Sequence, residues 1–291
     1  MREMCIEKIA EIGAIARSVG WGSAEILSHY HSQPPGELRI KHKQEGPVTN
    51  ADIAASEYIL RQLRIAFGTQ GFGYLSEETY KTQSESDRLG HRWIWIIDPI
   101  DGTRAFIRRN FKYAVHIALV YEGRPVVAVV VLPEAGKLYY AHKNGGTFVE
   151  DRSGDREWAK VSPRDRLPDL RIVTRRSRKE ERLTRLLHRL PGNIEQKLGS
   201  IGYKIASIVE QDWDVFISLS GKSAPKDWDL AAPELILTEA GGKLTHIDGT
   251  PLVYNQKDVS QWGCLVASNG QCHAQFCHTI ATVLADLDRG H

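Results

Sequence analysis

The sequence feature that most constrains this chain is an apolar run at residues 93–97 that ends in two aspartates, Asp98 and Asp101. Such a run predicts a buried strand, which would deliver both carboxylates at its C-terminal end. Pro99 fixes its own φ and biases the residue before it towards extended geometry. The turn can therefore aim both carboxylates, and the Ile100 carbonyl between them, at one point. Oxygen ligands of this kind suit a hard divalent cation such as magnesium.

The residues after the second aspartate favour a bound anion. Gly102 permits the close approach of a ligand. A helix is predicted to begin at Thr103, and the free N–H groups of its first turn suit a phosphate. Taken alone, residues 98–102 are equally typical of a surface turn, since all of them favour turns.

Three further carboxylates occur where predicted elements begin or end, and they favour a metal site. Glu77 follows a short apolar run that predicts a strand, whereas Asp52 and Asp229 lie in the first turns of predicted helices. The helix dipole favours an anion at such a position. Each carboxylate has an ordinary alternative as a solvated residue or a helix-start residue. Their joint occurrence in one chain is much harder to explain in that way.

Apolar periodicity predicts how the chain is organised. The first half should hold helices on an antiparallel sheet, whereas the second half alternates strands and helices and implies an α/β layer. Polar residues 150–169 are the candidate junction between an N-terminal part, 1–160, with most metal ligands, and a C-terminal part, 161–291, that supplies Asp229 and substrate contacts. Helices are predicted at 2–30, 51–67, 178–190, 202–210, 228–240 and 270–288, and strands at 71–75, 93–97, 113–121, 124–132, 136–141, 170–174, 193–197, 213–219 and 264–268.

Charge and composition limit the partners and the location. The formal net charge is +2 at pH 7, which is too small to argue for a nucleic acid or a membrane surface. A basic cluster at residues 175–189 is interleaved with Glu180 and Glu181, so a solvated helix face is favoured over nucleic-acid binding. The four cysteines lack metal-binding spacing, and neither a membrane span nor a signal peptide is predicted. We therefore expect reduced thiols and a cytoplasmic protein.

Together these motifs resemble the inositol monophosphatase superfamily. The resemblance rests on residues 48–52, 76–78, 98–103 and 228–242, and it covers most of the chain. It implies an α/β fold with an α+β N-terminal half, arranged as the layered α/β/α/β/α sandwich of the fructose-bisphosphatase-like sugar phosphatases. It also implies a magnesium-dependent phosphomonoesterase that lithium inhibits.

The resemblance implies a ligand set for the magnesium ions. One ion would be held by Glu77, Asp98 and the Ile100 carbonyl. A second would be held by Asp98, Asp101 and Asp229, and a third, weaker ion would share Glu77. Two to three ions per site are therefore expected.

The resemblance also implies which residues bind phosphate and which are catalytic. Backbone N–H groups of Gly102 and Thr103 would contact the phosphate. Asp52 and Thr103 would orient or deprotonate the water that the metal activates, and Glu77 is the third expected catalytic residue.

Within the superfamily the chain is more similar to bacterial 3′(2′),5′-bisphosphate nucleotidases, in particular at residues 103–106, 113–119, 199–204 and 248–255. Inositol monophosphatases commonly carry an acidic residue about six positions before the Trp-Asp pair, where this chain has Lys222. A cation suits a second phosphate, although a solvated loop explains this lysine equally well. The expected substrate contacts are Arg104, Ser200, Lys204, Lys222 and Lys226.

The leading hypothesis is therefore hydrolysis of adenosine 3′,5′-bisphosphate to AMP and phosphate, as sulfate assimilation requires. The enzymatic alternative is a phosphatase for inositol-1-phosphate or fructose-1,6-bisphosphate. A non-catalytic nucleotide-binding regulator is the alternative from another class, and the intact acidic set argues against it.

Similar proteins are commonly homodimers, so a homodimer is possible here. Two departures from the nucleotidase pattern, Ala105 and the basic run Arg108-Arg109-Asn110, concern substrate contacts only.

Overall fold

Two large β-sheets, a two-stranded hairpin and eight α-helices make up most of the described part of the chain, which in the computed structural model comprises residues 6–43, 46–175, 181–197 and 199–289. The helices are α1 (Ile6–Ser32), α2 (Asn50–Phe67), α3 (Ser86–Leu89), α4 (Thr103–Ile107), α5 (Glu181–Leu187), α6 (Ile201–Val209), α7 (Asp227–Glu239) and α8 (His273–Arg289). The strands of the two sheets are β3 (Phe72–Ser76), β4 (Trp93–Asp101), β5 (Ala114–Tyr121), β6 (Arg124–Leu132), β7 (Lys137–His142), β8 (Thr147–Asp151), β9 (Arg156–Ala159), β10 (Arg171–Arg175), β11 (Asn193–Lys197), β12 (Val215–Leu219), β13 (Lys243–His246) and β14 (Cys264–Ser268). A separate hairpin is formed by β1 (Ile40–Lys43) and β2 (Gly46–Thr49).

The larger sheet has seven strands in the order β3-β4-β5-β6-β7-β8-β9. β3 runs parallel to β4, whereas every other neighbouring pair is antiparallel. β5 and β6 are joined by a tight turn at Glu122 and Gly123, whose φ angles of 47° and 79° are both positive, as such hairpin turns require. The antiparallel sheet expected in the first half is therefore present, with one parallel strand at its edge.

Helices cover both faces of this sheet. Side chains alternate along a strand, so Trp95 and Ile97 pack with α1 and α2 on one face, whereas Ile94 and Ile96 pack with α6 and α7 on the other. The five-stranded sheet, in the order β11-β10-β12-β14-β13, covers the far side of α6 and α7, and α5 and α8 cover its outer face. These five layers confirm the α/β/α/β/α sandwich that the sequence implied.

Several short strands were not predicted from the sequence. The hairpin of β1 and β2, the strands β8 and β9, and β13 are each four or five residues long. β8 and β9 extend the large sheet into the polar segment 150–169, the candidate junction. In β9, residues 156–158 are exposed, so an apolar periodicity is absent there. The division of the chain at residue 160 stays a prediction.

The helix expected at 178–190 is described as Glu181–Leu187. Arg176, Arg178 and Lys179 of the basic cluster, like Cys5, lie outside the described residues. Cys264, Cys272 and Cys277 are free thiols, as expected. None of the helices in the described ranges is both long and apolar enough to cross a membrane.

Candidate active site

A β-bulge at the end of β4 places Asp98 and Asp101 on the same face of the sheet. Because side chains alternate along a strand, residues three apart normally point to opposite faces. Here Asp98 pairs with His116 of β5, and Asp101 pairs with Ala114, so three steps along β4 match two steps along β5. The extra residue of the bulge brings both aspartates back to one face. The register shift, together with Pro99, thus explains how this motif converges.

The start of α7 supplies a third carboxylate. Asp98, Asp101 and Asp229 each offer a carboxylate oxygen, and the three oxygens lie within 4.8 Å of one another. Oδ2 of Asp229 accepts the backbone N–H of Lys226 at 2.6 Å, which fixes the side chain in the first turn of the helix. The structure therefore brings together three of the four acidic side chains that were predicted as metal ligands from distant parts of the sequence.

Glu77, the fourth of these acidic residues, follows β3 directly. Because β3 and β4 are parallel, their C-terminal ends meet at the same edge of the sheet. The Glu77 N–H donates to the Ile97 carbonyl at 3.2 Å, and its carboxyl group is close enough to those of Asp98 and Asp229 for their charges to interact. Glu77 therefore belongs to the same acidic cluster.

Burial and mutual repulsion raise the pKa of the carboxyls in this cluster. Burial, followed by the charge of Asp101, raises the pKa of Asp229 to about 7. Burial, followed by the neighbouring negative charges, also raises the pKa of Glu77 and of Asp98 well above the usual range. Buried carboxylates this close repel one another unless a cation lies among them. An all-oxygen, negatively charged donor set of this kind fits magnesium.

Asp52 of α2 and Thr103 of α4 lie in contact beside the cluster. Thr103 Oγ1 lies 3.1 Å from Asp52 Oδ1 and 3.2 Å from the Ile100 carbonyl oxygen, so its hydroxyl can donate to either. Thr49, the N-cap of α2, donates its backbone N–H and its hydroxyl to Asp52 Oδ2 at 2.7 and 2.6 Å. Burial raises the pKa of Asp52 to about 6, although the hydrogen bonds from Thr49 oppose this shift.

Gly102 adopts a left-handed conformation, with φ of 92°, immediately before α4. A Cβ atom here would lie 3.3 Å from Ser200 Cβ and 3.4 Å from the Lys112 carbonyl oxygen. Glycine therefore suits this position in both conformation and space. It also lets the start of α4 lie against the start of α6.

The predicted substrate contacts occupy different environments. Ser200 caps α6, its Oγ accepting the Tyr203 N–H at 2.9 Å. Lys204 is buried, and its ammonium donates to the carbonyls of Gly199 and Ser200 at 2.5 and 3.1 Å. The Lys226 ammonium donates to Ser260 Oγ at 2.7 Å. Arg104 and Lys222 have exposed side chains.

A cavity of about 240 Å³ adjoins the acidic cluster, between the start of α6, the end of β12 and the start of α7. Asp101 and Asp229 form part of its wall, and so does Lys204. A molecule in this cavity can therefore reach both the carboxylates and a buried lysine.

Two contacts to Asp101 were not predicted from the sequence. The Gly202 N–H donates to Asp101 Oδ2 at 2.9 Å, and His116 Nε2 lies 3.4 Å from the same oxygen. A histidine in the middle of the otherwise apolar run 114–120 is the signal that could have identified His116. Gly202 acts through its backbone, which leaves no such signal.

The fold and the acidic cluster together define a class of proteins: layered α/β/α/β/α sandwiches with a carboxylate cluster suited to divalent cations at the end of a sheet. The sequence model of the inositol monophosphatase family matches residues 8–285. The chain therefore belongs to the inositol monophosphatase family.

Individual relatives are similar over most of their length. The chain is 31% identical over 252 residues to the 3′(2′),5′-bisphosphate nucleotidase CysQ of Salmonella typhimurium, covering 86% of this chain and 95% of that protein. It is 30% identical over 248 residues to the inositol-1-monophosphatase of Caulobacter vibrioides, covering 82% and 90%. The crystal structure of CysQ from Bacteroides thetaiotaomicron superposes with a TM-score of 0.74 at 25% identity, covering 89% of this chain and 97% of that one.

Proposed function

We propose that this chain is a magnesium-dependent phosphomonoesterase that hydrolyses adenosine 3′,5′-bisphosphate to AMP and phosphate. The observation that carries the proposal is the convergence of Asp98, Asp101 and Asp229 within 4.8 Å beside a cavity with a buried lysine in its wall. Family membership supports a phosphatase. The similarity to a bisphosphate nucleotidase over 95% of that protein supports the choice of substrate.

In this proposal the acidic cluster holds two to three magnesium ions, with Glu77, Asp98, Asp101, Asp229 and the Ile100 carbonyl as ligands. Bound magnesium would lower the pKa of the attacking water and neutralise charge on the phosphate and the leaving oxygen. The negative charge of the four side chains supports this role, because their repulsion is relieved by a cation.

Asp52 and Thr103 would orient the attacking water and accept its proton. With a pKa of about 6, Asp52 is mostly ionised at neutral pH and can attract the hydroxyl proton of Thr103. The hydroxyl oxygen of Thr103 then accepts a hydrogen bond from the water and aligns it. Backbone N–H groups of Gly102 and Thr103, at the start of α4, would hold the phosphate oxygens.

The remainder of the substrate would occupy the cavity beside α6. The positive charge of Lys204 on the cavity wall complements a second phosphate group, which a bisphosphate nucleotide carries and a monophosphate lacks. Ser200, which caps α6, stands beside Gly102 and would contact the sugar-phosphate portion. Arg104, Lys222 and Lys226 would provide outer contacts.

The competing function is hydrolysis of inositol-1-phosphate, which the similarity to the Caulobacter inositol-1-monophosphatase favours. The deciding experiment compares kcat/KM for adenosine 3′,5′-bisphosphate, inositol-1-phosphate and fructose-1,6-bisphosphate, with magnesium and with EDTA. Preference for the nucleotide is expected. Preference for inositol phosphate would overturn the proposed substrate, and magnesium-independent release would overturn the mechanism. Nucleotide binding without hydrolysis would instead support a non-catalytic nucleotide-binding regulator.

A homodimer and a cytoplasmic location stay predictions. Light scattering would check the first, and cell fractionation would check the second.

A further inference from the structure

His116 is a buried polar residue within the apolar strand β5, and its side chain is 1% exposed. It stands directly opposite Asp98 in the antiparallel pairing of β5 with β4. Opposite residues of paired strands have side chains on the same face, so the imidazole lies on the face that carries the acidic cluster. Its neighbours on that face of β5, Ala114 and Ala118, are small and leave room for the ring.

Both ring nitrogens of His116 contact the acidic site or its support. Nδ1 lies 3.1 Å from the carbonyl oxygen of Trp228, the residue before Asp229. Because a carbonyl oxygen only accepts, Nδ1 donates there. Nε2 faces Asp101 Oδ2 at 3.4 Å but makes no hydrogen bond to it or to any other described residue. One side chain therefore contacts a predicted metal ligand directly and the backbone next to another.

Gly202 completes this arrangement from α6. A Cβ atom at this position would lie 2.1 Å from His116 Nε2, so the ring occupies the space that any other side chain would need. The Gly202 N–H donates to the same Asp101 oxygen at 2.9 Å. The hydrogen bond from α6 thus orients Asp101 Oδ2, and the His116 ring packs beside it.

We propose that His116 is a positioning residue that holds the start of α7, and with it Asp229, in the arrangement that magnesium binding requires. The inference rests on the proposed function, because the cation is that of the proposed active site. His116 is not itself a predicted ligand. Its Nδ1 donates to the Trp228 carbonyl, and its Nε2 faces the carboxylate of Asp101, which is a predicted ligand. Outer partners of metal ligands typically contribute about 10- to 100-fold in metal affinity or activity.

The test measures magnesium binding by calorimetry in three variants, without substrate. His116→Leu removes the hydrogen bond to the Trp228 carbonyl and is expected to raise the magnesium Kd about tenfold or more. In His116→Asn the amide nitrogen can take the position of Nδ1 and keep this hydrogen bond, so this variant should recover much of the affinity. In His116→Gln the amide reaches the position of Nε2 instead, and the affinity should stay low.

A second buried histidine provides the matched control. His273 has its ring nitrogens bonded to Ser268 Oγ at 2.7 Å and Thr245 Oγ1 at 2.9 Å, so His273→Leu should lower the Tm but leave the magnesium Kd unchanged. A wild-type Kd in His116→Leu would overturn the positioning role. If that variant does not fold, equal affinities of the Gln and Asn variants would overturn it. If the wild-type protein binds magnesium but does not hydrolyse the nucleotide, the proposed function fails. Differences in magnesium affinity among the His116 variants would still support the positioning role of His116.

Discussion

Gly202 and Asp101 are joined by a 2.9 Å hydrogen bond from the Gly202 N–H to Oδ2 of the carboxylate. This bond ties the start of α6 to the end of β4. The same carboxylate lies within 4.8 Å of those of Asp98 and Asp229, so elements from both halves of the chain meet at Asp101. Changes at this residue should therefore affect the metal site first.

We expect Asp101→Asn to lower kcat by at least ~100-fold, the scale of losing one preorganised electrostatic group. The amide keeps the shape of the side chain and its oxygen can still accept the Gly202 N–H, but it lacks the negative charge that a divalent cation needs. Phosphate release at saturating magnesium provides the measurement, with the exposed Asp169→Asn as control. Magnesium-dependent turnover near the wild-type rate would refute the assignment of Asp101.

The metal-free protein is expected to lose stability as the pH rises from 3.8 to about 7. Folding raises the pKa of Asp52 from 3.8 to about 6 and that of Asp229 from 3.8 to about 7, in both cases chiefly through burial. In this window the folded state keeps protons that the unfolded state has released, so the free energy of unfolding falls with increasing pH. Thermal unfolding in EDTA across the window measures it. Asp229→Asn, which lacks one of these groups, should show a shallower slope, and a Tm that rises throughout the window in wild-type protein would contradict the prediction.

Added magnesium should raise the Tm more above pH 7 than below pH 6. Protons and cations compete for the same carboxylates, whose pKa values include about 7 for Asp229 and about 6 for Asp52. Binding to the folded state alone then adds to the free energy of unfolding. The same melting experiment with magnesium in place of EDTA provides the comparison. An equal increase at both pH values would mean that the ion binds elsewhere.

Lys204→Met should lower kcat/KM for adenosine 3′,5′-bisphosphate about tenfold or more, the scale of a lost charge-assisted hydrogen bond. The effect on inositol-1-phosphate should be smaller, because that substrate lacks a second phosphate. Lys243→Met, which removes an exposed lysine of β13, is the control. Since the Lys204 ammonium also bonds two carbonyls at the start of α6, the Tm of each variant is measured as well. Equal losses for the two substrates would argue for a purely structural lysine.

Arg109→Ala should lower the free energy of unfolding by about 2 kcal/mol, through the loss of hydrogen bonds from a charged group. The Arg109 guanidinium donates to the carbonyls of Tyr30, His31 and Gln33, and so satisfies acceptors at the C-terminal end of α1. The basic run at 108–110 therefore includes a residue that stabilises the fold. Denaturant unfolding of this variant and of the exposed Arg108→Ala tests the point. Unchanged stability with lost activity would place Arg109 in substrate binding instead.

The sequence predicted those parts of the fold whose patterns are local and strong. β6, for example, is a run of apolar residues bounded by turn residues, and its predicted bounds of 124–132 agree with the structure. α2, predicted at 51–67, spans Asn50–Phe67 in the structure. The acidic residues were recognisable because each stands at the end of such an element.

The relationships between segments could not be predicted in this way. The bulge that aligns Asp98 with Asp101 is a matter of register between β4 and β5, which no single strand encodes. The role of His116 depends on the Trp228 carbonyl, a partner 112 residues away in the sequence. Short edge strands such as β9 bury too few side chains to leave a periodic signal.

The placement of α7 between the two sheets has a consequence for how the molecule is completed during synthesis. A nascent chain that ends at β12 already holds Asp98 and Asp101, but the third carboxylate arrives only when α7 has docked. Magnesium would therefore discriminate between molecules with and without α7 in place, since the earlier intermediates present an incomplete set of ligands. Its stabilising effect would fall on a late step of assembly rather than on the first.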